Sequence, residues 1–395
     1  MTKRPSKRWS ASVAALLAAV GLSASAGVGA QPAEAAAAKS AIAVTTHEQI
    51  PIELSHAPIL ENGSVYLPLR ATGTAIQSRT TWIPEGKRIV VVDPDTRIEM
   101  TLGSKRATVN GVARDLPAMP KNVDGVVYVP VRFVSEAMGI EVNWVPKERR
   151  VELGLQQPPY LFAERGTKGY WIDRGTGALY LSDNAAAAKL VADTNVEIKE
   201  FGGMFVESLS ANVEIVTVGD NYGEPHLNDD VYKIVVKDGA KTLETKTHYW
   251  GMHPIRNVPR SASGNPLLLD GAKLYEIALS GQVVAEHDLR ALTGYEDDAF
   301  QVEWYDDEIM VVRPHYSGWL TLVDRQTNET TRLVDGIAAA DQLEAYRAMA
   351  GSNELEFSQW DGLQVVGREG DALKLKHTWF LATDAPKDVS YDLKK

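Results

Sequence analysis

The chain has 395 residues, of which 44% are hydrophobic and 24% are charged, and this globular composition excludes disordered, collagen-like and coiled-coil proteins. Cysteine is absent, which excludes disulfides, thiolate metal ligands and a cysteine nucleophile. The formal net charge of −11 argues against nucleic acid as a partner, because that role requires a broad basic surface.

Residues 1–38 have the pattern of an export signal. Four basic residues precede an apolar stretch at 11–28, and a small-residue segment follows it. This order is typical of a secretory signal peptide. A retained membrane anchor is the alternative, but no later run approaches the roughly 20 apolar residues that a span requires. We therefore expect a secreted, extracellular protein without a membrane span after signal cleavage, and association with the cell wall is compatible with this.

Charge divides the rest of the chain into two parts. Residues 41–155 contain 13 basic and 13 acidic side chains, whereas residues 156–395 contain 23 basic and 38 acidic ones. The change falls at the segment QQPP at 156–159, a polar and proline-rich break that is typical of a linker. The predicted domains are therefore a signal peptide at 1–38, an N-terminal module at 42–155 and an acidic region at 156–395.

The N-terminal module contains an internal repeat at an offset of 62 residues. NGSVYLPLRATGTAI at 62–76 matches DGVVYVPVRFVSEAM at 124–138, and TTWIPEGKR at 80–88 matches VNWVPKERR at 142–150. Such self-similarity predicts two structural units, here named the first copy (54–88) and the second copy (116–150). The repeat-motif residues are the identical pairs Tyr66/Tyr128, Pro68/Pro130, Arg70/Arg132 and Trp82/Trp144.

Each copy predicts a hairpin, a helix and a second hairpin. Asn-Gly at 62–63 and Asp-Gly at 124–125 are dipeptides of tight hairpin turns, and short apolar strands follow them. Pro130 can open a helix, and Gly139 can end it. A strand with Val142 and Trp144 on one face comes next. We therefore predict an α+β module made of two hairpin–helix–hairpin repeats.

These motifs resemble the copper amine oxidase N-terminal-like domain, also called the stalk domain. The first copy departs from the pattern at Gln77, where the second copy has Gly139, and at Arg79, where a small or apolar residue is expected. The resemblance implies a structural module that often occurs in tandem in secreted proteins of Gram-positive spore-forming bacteria. It rests on Gly125, Tyr128, Val129, Pro130, Arg132, Phe133, Gly139, Val142 and Trp144, with VNG at 109–111.

Copper amine oxidase activity itself is not expected. A quinone site of that kind requires an Asn-Tyr-Asp/Glu motif and a His-x-His pair among its copper ligands, whereas this sequence has NYG at 221–223 and no His-x-His. Tyr66, Arg70, Tyr128 and Arg132 could form a binding surface. Packing of these side chains within the module is the alternative, and we favour it.

The acidic region predicts an all-β domain, a β-propeller of about five blades. Hairpin centres near residues 175, 239, 281, 326 and 370 are spaced mostly as expected for blades of about 40–45 residues. One longer interval suggests an insertion at 220–230. Helices are predicted at 185–191 and 338–349. A pair of β-sandwiches is the alternative architecture.

Six acidic side chains flank the strand AFQVEW within residues 296–308, three on each side of it. Two of them could act as the acid and the base or nucleophile of a glycoside hydrolase or lyase, or several could bind Ca²⁺. Solvated loop tips are the third interpretation and the one we favour. The candidate ligand residues are Asp297, Asp298, Asp306, Asp307 and Glu308.

No other catalytic signature is present in the sequence. The two histidines of HYWGMHP at 248–254 do not form an HExxH motif, and no G-x-S-x-G or phosphate-binding loop occurs. Apart from the Ca²⁺ alternative, no cofactor is predicted. Tryptophans of the acidic region are core residues or ligand-stacking groups, namely Trp171, Trp250, Trp304, Trp319, Trp360 and Trp379.

These observations predict a secreted, non-enzymatic binding or structural protein of the bacterial cell envelope. Its stalk-type module would present the acidic propeller to a cell-wall polymer, a glycan or an extracellular protein. Two alternatives stay open: a carbohydrate-active hydrolase or lyase that uses the acidic cluster at 296–308, and a surface sensor that binds calcium or a protein.

Overall fold

The computed structural model describes residues 42–46, 49–154, 157–251, 253–349, 361–379 and 385–394. The predicted export signal lies outside these ranges. Residues from Ile42 onward form one compact unit. Among the described residues, no helix has both the length and the apolar character needed to cross a membrane.

Short strands and two-turn helices build the N-terminal module. Both predicted hairpin turns form, with positive φ angles of 48° and 75° at Asn62 and Gly63 and of 51° and 85° at Asp124 and Gly125. The helices are α1 (Leu69–Ala75) and α2 (Val131–Ala137). The strands are β1 (Ala43–Thr46), β2 (Ile59–Glu61), β3 (Ser64–Pro68), β4 (Arg79–Ile83), β5 (Arg88–Val92), β6 (Arg97–Thr101), β7 (Arg106–Val109), β8 (Val112–Asp115), β9 (Lys121–Val123), β10 (Val126–Pro130), β11 (Val142–Val145) and β12 (Arg150–Leu153).

The strands of the two copies combine into shared sheets. β3 pairs with β10, which gives a four-stranded sheet of order β2-β3-β10-β9. β1 pairs in parallel with β12 in the sheet β1-β12-β11, and β4 to β8 form a five-stranded meander. Helix α1 packs on β10, and α2 packs on β3, so each helix covers a strand of the other copy. One apolar core with Leu67, Ile89 and Val129 therefore serves both copies.

The predicted α+β class of this module is wrong. Strands make up 51% of the structure and helices only 11%, and the sheets are small and numerous. No self-contained hairpin–helix–hairpin unit forms, because the edge of a hairpin in one copy is completed by a strand of the other. Edge strands have unpaired backbone groups, and pairing between the copies satisfies them.

The acidic region forms five antiparallel sheets in chain order. Three short helices connect or flank them: α3 (Leu289–Thr293), α4 (Val334–Ile337) and α5 (Ala340–Met349). The sheets consist of β13 (Tyr160–Arg165), β14 (Lys168–Asp173), β15 (Leu179–Asp183) and β16 (Lys189–Ala192); β17 (Phe201–Ser210), β18 (Val213–Tyr222), β19 (Asn228–Lys237) and β20 (Ala240–Trp250); β21 (Leu267–Asp270), β22 (Lys273–Ile277) and β23 (Val283–Asp288); β24 (Phe300–Tyr305), β25 (Ile309–Pro314), β26 (Thr321–Asp324) and β27 (Thr330–Arg332); and β28 (Leu363–Glu369), β29 (Ala372–His377) and β30 (Lys387–Asp392).

The predicted five-bladed propeller is also wrong as a fold class. Two of the five sheets have three described strands rather than four, and within the described ranges no strand of the last sheet pairs with the first. The longest interval between hairpins reflects strands of 10 or 11 residues rather than an insertion at 220–230. The helix predicted at 338–349 is confirmed by α5, whereas 185–191 contains a turn and the start of β16. Hairpin spacing is local information and does not determine how sheets assemble.

The first sheet of the acidic region packs against the meander of the N-terminal module. Val90 and Val92 of β5 share an apolar cluster with Trp171 of β14. Trp171 Nε1 donates a hydrogen bond to the carbonyl of Gln77 at 3.0 Å. Arg79 Nε donates to the carbonyl of Asn184 at 3.0 Å. Gln77 and Arg79 are the two positions at which the first copy departs from the family pattern, and both contact the acidic region.

Candidate functional site

A cleft of about 510 Å³ lies between the two copies. The β2–β3 hairpin of the first copy forms one wall, and α2 with β11 and β12 of the second copy forms the other. We name it the stalk cleft. It is lined by Leu60, Gly63, Ser64, Val65, Pro117, Pro130, Val131, Arg132, Val142, Asn143, Trp144 and Val151.

Local backbone geometry positions the polar side chains of the stalk cleft. Pro130 ends β10 with φ at −65° and is followed at once by α2, so Arg132 lies in the first turn of that helix and is exposed. Trp144 is half-buried in β11 and is paired in register with Val151 of β12. The stalk cleft thus joins an indole ring and a guanidinium group to smaller polar groups from Ser64 and Asn143.

The other repeat-motif residues have different environments. Tyr66 and Tyr128 are buried, at 5% and 6% exposure. Tyr128 donates its hydroxyl hydrogen to the carbonyl of Ala57 at 3.2 Å, and Lys121 Nζ lies 4.3 Å from the centre of the Tyr66 ring. Pro68 is buried at the start of α1. The two tyrosines are therefore packing residues.

Arg70 and Trp82 are the counterparts of Arg132 and Trp144 in the first copy. Arg70 is exposed in α1, and Trp82 is 37% exposed in β4. Neither residue lines the stalk cleft. Of the eight repeat-motif residues, the structure brings Pro130, Arg132 and Trp144 together.

Ser64 and Asn143 are cleft residues that sequence reasoning missed. They correspond to Val126 and Thr81 at the 62-residue offset, so they differ between the copies. Comparison of the two copies identifies positions that have the same residue, and it does not identify positions at which the residues differ. A useful signal for Ser64 would have been a polar residue next to the hairpin turn in one copy only, since the second copy has Val126 there.

Asp297 and Asp298 differ in their surroundings. Asp297 is nearly buried, and its Oδ1 accepts hydrogen bonds from the backbone N–H groups of Tyr316 and Ser317 at 2.6 and 2.7 Å. Its Oδ2 accepts from the Ser317 hydroxyl at 2.6 Å. Asp298 is exposed and forms an ion pair with Arg290. Asp297 therefore fixes the turn after β25.

Asp306 is held by the turn that follows β24. Its Oδ1 accepts from the backbone N–H groups of Glu308 and Ile309, and its Oδ2 accepts from Trp304 Nε1 at 2.6 Å and from Arg368 Nη1 at 2.7 Å. Burial opposes ionisation, but the hydrogen bonds outweigh it and hold the pKa of Asp306 below its ordinary value. Glu308 also pairs with Arg368. Asp307 is exposed.

β24 separates the two acidic groups. Its six residues lie between Asp298 and Asp306, and a strand rises about 3.3 Å per residue, so the groups are on the order of 20 Å apart. The carboxyl pair of a glycosidase requires about 5–10 Å. In the described part of the chain, no three His, Asp or Glu side chains are arranged to hold a metal ion. The two groups are therefore too far apart to supply one carboxyl pair between them, and within the second group Asp306 and Glu308 are both engaged by Arg368.

The histidines and tryptophans of the acidic region also differ from one another in their contacts and exposure. His248 contacts Asp230, whereas the ring of His253 lies 6.2 Å from that of His315. Trp171 is fully buried, and Trp250 is 40% exposed. Trp304, Trp319 and Trp379 pack at the edge of an apolar core, and Trp360 lies outside the described residues.

The comparisons with known proteins identify one domain. Residues 46–153 match the family of the copper amine oxidase N-terminal domain. This domain is a non-catalytic module of copper amine oxidases, and no catalytic family is found. No curated protein matches the chain.

Solved structures show only distant likeness. The dihydro-heme d1 dehydrogenase NirN has a TM-score of 0.21 at 9% identity, with 64% of this chain and 46% of that protein covered. A puromycin-hydrolyzing peptidase of Mycobacterium tuberculosis has 0.22 at 12% identity, with 81% and 56% covered. AztD of Citrobacter koseri has 0.20 at 13% identity, with 71% and 74% covered. The chain spans less than half the length of the dehydrogenase, and none of these scores indicates a shared fold.

Proposed function

We propose that this protein is a secreted, non-enzymatic binding protein of the Gram-positive cell envelope. In this proposal a tandem stalk-type repeat binds a carboxylate-bearing glycan of the cell wall in the stalk cleft. The acidic region is held on the outer face of the first copy and remains displayed. The observation that carries the proposal is the convergence of Trp144, Arg132 and Asn143 on one cleft.

The chemistry of the stalk cleft fits a glycan. Its volume of about 510 Å³ lies within the range of small-ligand sites, about 300–1,000 Å³. The apolar face of the Trp144 indole can stack on a sugar ring. The Arg132 guanidinium can bind a carboxylate through two parallel hydrogen bonds. Ser64 and Asn143 offer a hydroxyl and an amide to sugar hydroxyls.

The two copies of the repeat make different contacts, and this difference agrees with the proposed function. The first copy contacts the acidic region through Gln77 and Arg79. The equivalent positions of the second copy are Gly139 and Glu141, and both are exposed. The second copy is therefore left accessible to an external ligand while the first copy holds the rest of the chain.

Cosedimentation of the full-length mature chain with isolated Gram-positive cell walls tests the proposal. We expect Trp144→Ala to weaken binding by about tenfold or more, because it removes an aromatic anchor that contributes roughly 2 kcal/mol at a binding hot spot. Trp82→Ala, at the matched position of the first copy, is the control and should bind like the wild type. Failure of the wild type to pellet, or an equal loss in both variants, would contradict the proposal.

A further inference from the structure

A second polar site, outside the stalk cleft, lies on one face of the sheet β17–β20. Asp220 is paired in register with Asp230 across β18 and β19, and Asp230 with His248 across β19 and β20. Residues directly opposite each other on neighbouring strands project to the same side of a sheet. These three side chains therefore form a row across the sheet.

Asp230 lies at the centre of this row and is 1% exposed. Its Oδ1 accepts a hydrogen bond from His248 Nδ1 at 2.6 Å. Its Oδ2 lies 3.2 Å from Lys199 Nζ and 3.2 Å from Lys246 Nζ. Because both ammonium groups contact the same oxygen, their nitrogens are at most 6.4 Å apart. We name Lys199, Asp230, Lys246 and His248 the Asp230 cluster.

Aromatic rings hold the two ammonium groups in place. Lys199 Nζ donates to the Tyr222 hydroxyl at 2.7 Å and lies 3.9 Å from the centre of that ring. Lys246 Nζ lies 5.0 Å from the centre of the Tyr232 ring. A cation over an aromatic face is attracted by the ring quadrupole. The donors are thus preorganised, and preorganisation lowers the entropic cost of binding.

The donors of the cluster face solvent on their outer sides. The side chains of Lys199 and Lys246 are each 39% exposed, and that of His248 is 45% exposed. An ammonium group has three N–H donors, and the imidazole has a second nitrogen beyond the one that contacts Asp230. The cluster therefore presents donors outward while it neutralises the buried carboxylate.

Positive charge exceeds negative charge in the Asp230 cluster. Two lysines surround the single carboxylate of Asp230, although one cation is enough to compensate its charge. The next carboxylate, Asp220, accepts the backbone N–H groups of Lys199 and Glu200 and interacts with the charge of Arg174. Nε and Nη1 of Arg174 are buried and have no hydrogen-bond partner among the described residues. An anion bound to the outer side of the cluster would balance the excess.

We propose that Lys199, Lys246 and His248 form a binding site for a phosphate group. Two ammonium groups at this separation can each contact a different oxygen of one tetrahedral phosphate, and His248 in its imidazolium form can donate its Nε2–H to a third while Nδ1 donates to Asp230. A carboxylate has only two oxygens and a single charge, so it would satisfy fewer of these donors. The phosphate could belong to a wall polymer or be free in solution. This inference goes beyond the proposed glycan site and does not depend on it.

Calorimetric titration of the full-length mature chain at pH 7 tests the site. The probes are inorganic phosphate, glycerol 3-phosphate and acetate, each at an ionic strength matched with sodium chloride. We expect saturable binding of both phosphates. Tighter binding of glycerol 3-phosphate points to a polymer source, and equal binding points to free phosphate. Acetate binding as tight as phosphate, or no saturable signal from the wild type, would overturn the proposal.

Lys199→Gln and Lys246→Gln should each weaken phosphate binding by about tenfold, because a charge-assisted hydrogen bond is worth roughly 1.5 kcal/mol or more. Lys241→Gln is the matched control, since Lys241 lies on β20 like Lys246 but forms an ion pair with Glu244. Equal weakening in all three variants would refute the site. If either test variant unfolds, phosphorus NMR of inorganic phosphate mixed with the wild-type chain tests the site instead. A phosphate resonance that the protein leaves unchanged would refute the site.

Discussion

Arg313 is held by a buried network of charged and polar groups in the acidic region. Its side chain is fully buried, and it donates to Glu303 at 2.8 Å and to Asp361 at 2.7 Å. It also donates to the carbonyls of Gly318 and Leu363, each at 2.6 Å. The guanidinium group therefore ties β24 and β25 to the start of β28. Nothing in the sequence around Arg313 predicts this, because its two carboxylate partners are 10 and 48 residues away.

Arg313→Met should destabilise the protein by about 3–5 kcal/mol, because the change leaves two carboxylates buried without a cation. Urea denaturation monitored by tryptophan fluorescence measures the loss. Arg347→Met is the control, since Arg347 pairs with Asp335 at the surface and such pairs contribute about 1 kcal/mol or less. Similar losses in the two variants would show that the buried network does not hold these strands.

Asp93 carries an electrostatic cost at neutral pH. Burial raises the pKa of Asp93 to about 6, although the backbone N–H groups of Thr96 and Asp95 donate to its carboxylate. The pKa in the unfolded chain is near 3.8, so the folded state binds the proton more tightly. Ionisation therefore costs stability above pH 6, and the cost disappears as the pH falls below about 4.

Asp93→Asn should stabilise the protein by about 1–2 kcal/mol at pH 8, because the amide oxygen can still accept the two backbone hydrogen bonds without a buried charge. The gain should shrink as the pH falls through 6 and vanish near pH 4. Urea denaturation at pH 8, 6 and 4 measures it. Asp115→Asn on the exposed strand β8 should have no effect at any of these pH values. A gain that does not depend on pH would contradict this account.

At the scale of elements, β4 and β11 are equivalent strands of the two copies but have different surroundings. Both strands follow a two-turn helix and carry a motif tryptophan. Position 79 is Arg in β4 and is 6% exposed, whereas position 141, just before β11, is an exposed Glu. The turns and strands of both copies follow from short-range patterns of Asn-Gly, Asp-Gly and alternating residues. The pairing of β3 with β10 does not follow from these patterns, because no short-range pattern specifies which strand edges pair with each other.

Arg79→Glu should destabilise the protein by about 2–4 kcal/mol, because it removes the hydrogen bond to the carbonyl of Asn184 and places a carboxylate beside Glu164. Differential scanning calorimetry measures the change. Glu141→Arg is the reciprocal variant at the exposed position of the second copy and should change stability by no more than about 0.5 kcal/mol. Equal effects would mean that the first copy has no special contact with the acidic region.

At the scale of the whole molecule, the resemblance of the repeat motifs to a known family predicted the family of the N-terminal module, whereas the sequence patterns did not predict the fold class. The resemblance rests on residues close together in sequence, and it agrees with the family match at 46–153. The packing of the first of the five sheets on the N-terminal module depends on contacts such as Trp171 with Gln77, which join distant segments. The stalk cleft was not predicted: of the four residues considered for a binding surface only Arg132 lines it, and its walls come from both copies.

The parallel pairing of β1 with β12 has a consequence for the order in which the parts of the module fold. Ala43 pairs with Arg150, roughly 100 residues later, and such closure is entropically costly. During synthesis the chain appears from its N-terminus, so β1 must wait for almost the entire module before its partner exists. The hairpins can form early from neighbouring residues, whereas the first strand is among the last to be incorporated. The module therefore closes at a late stage, when its final strand arrives beside its first.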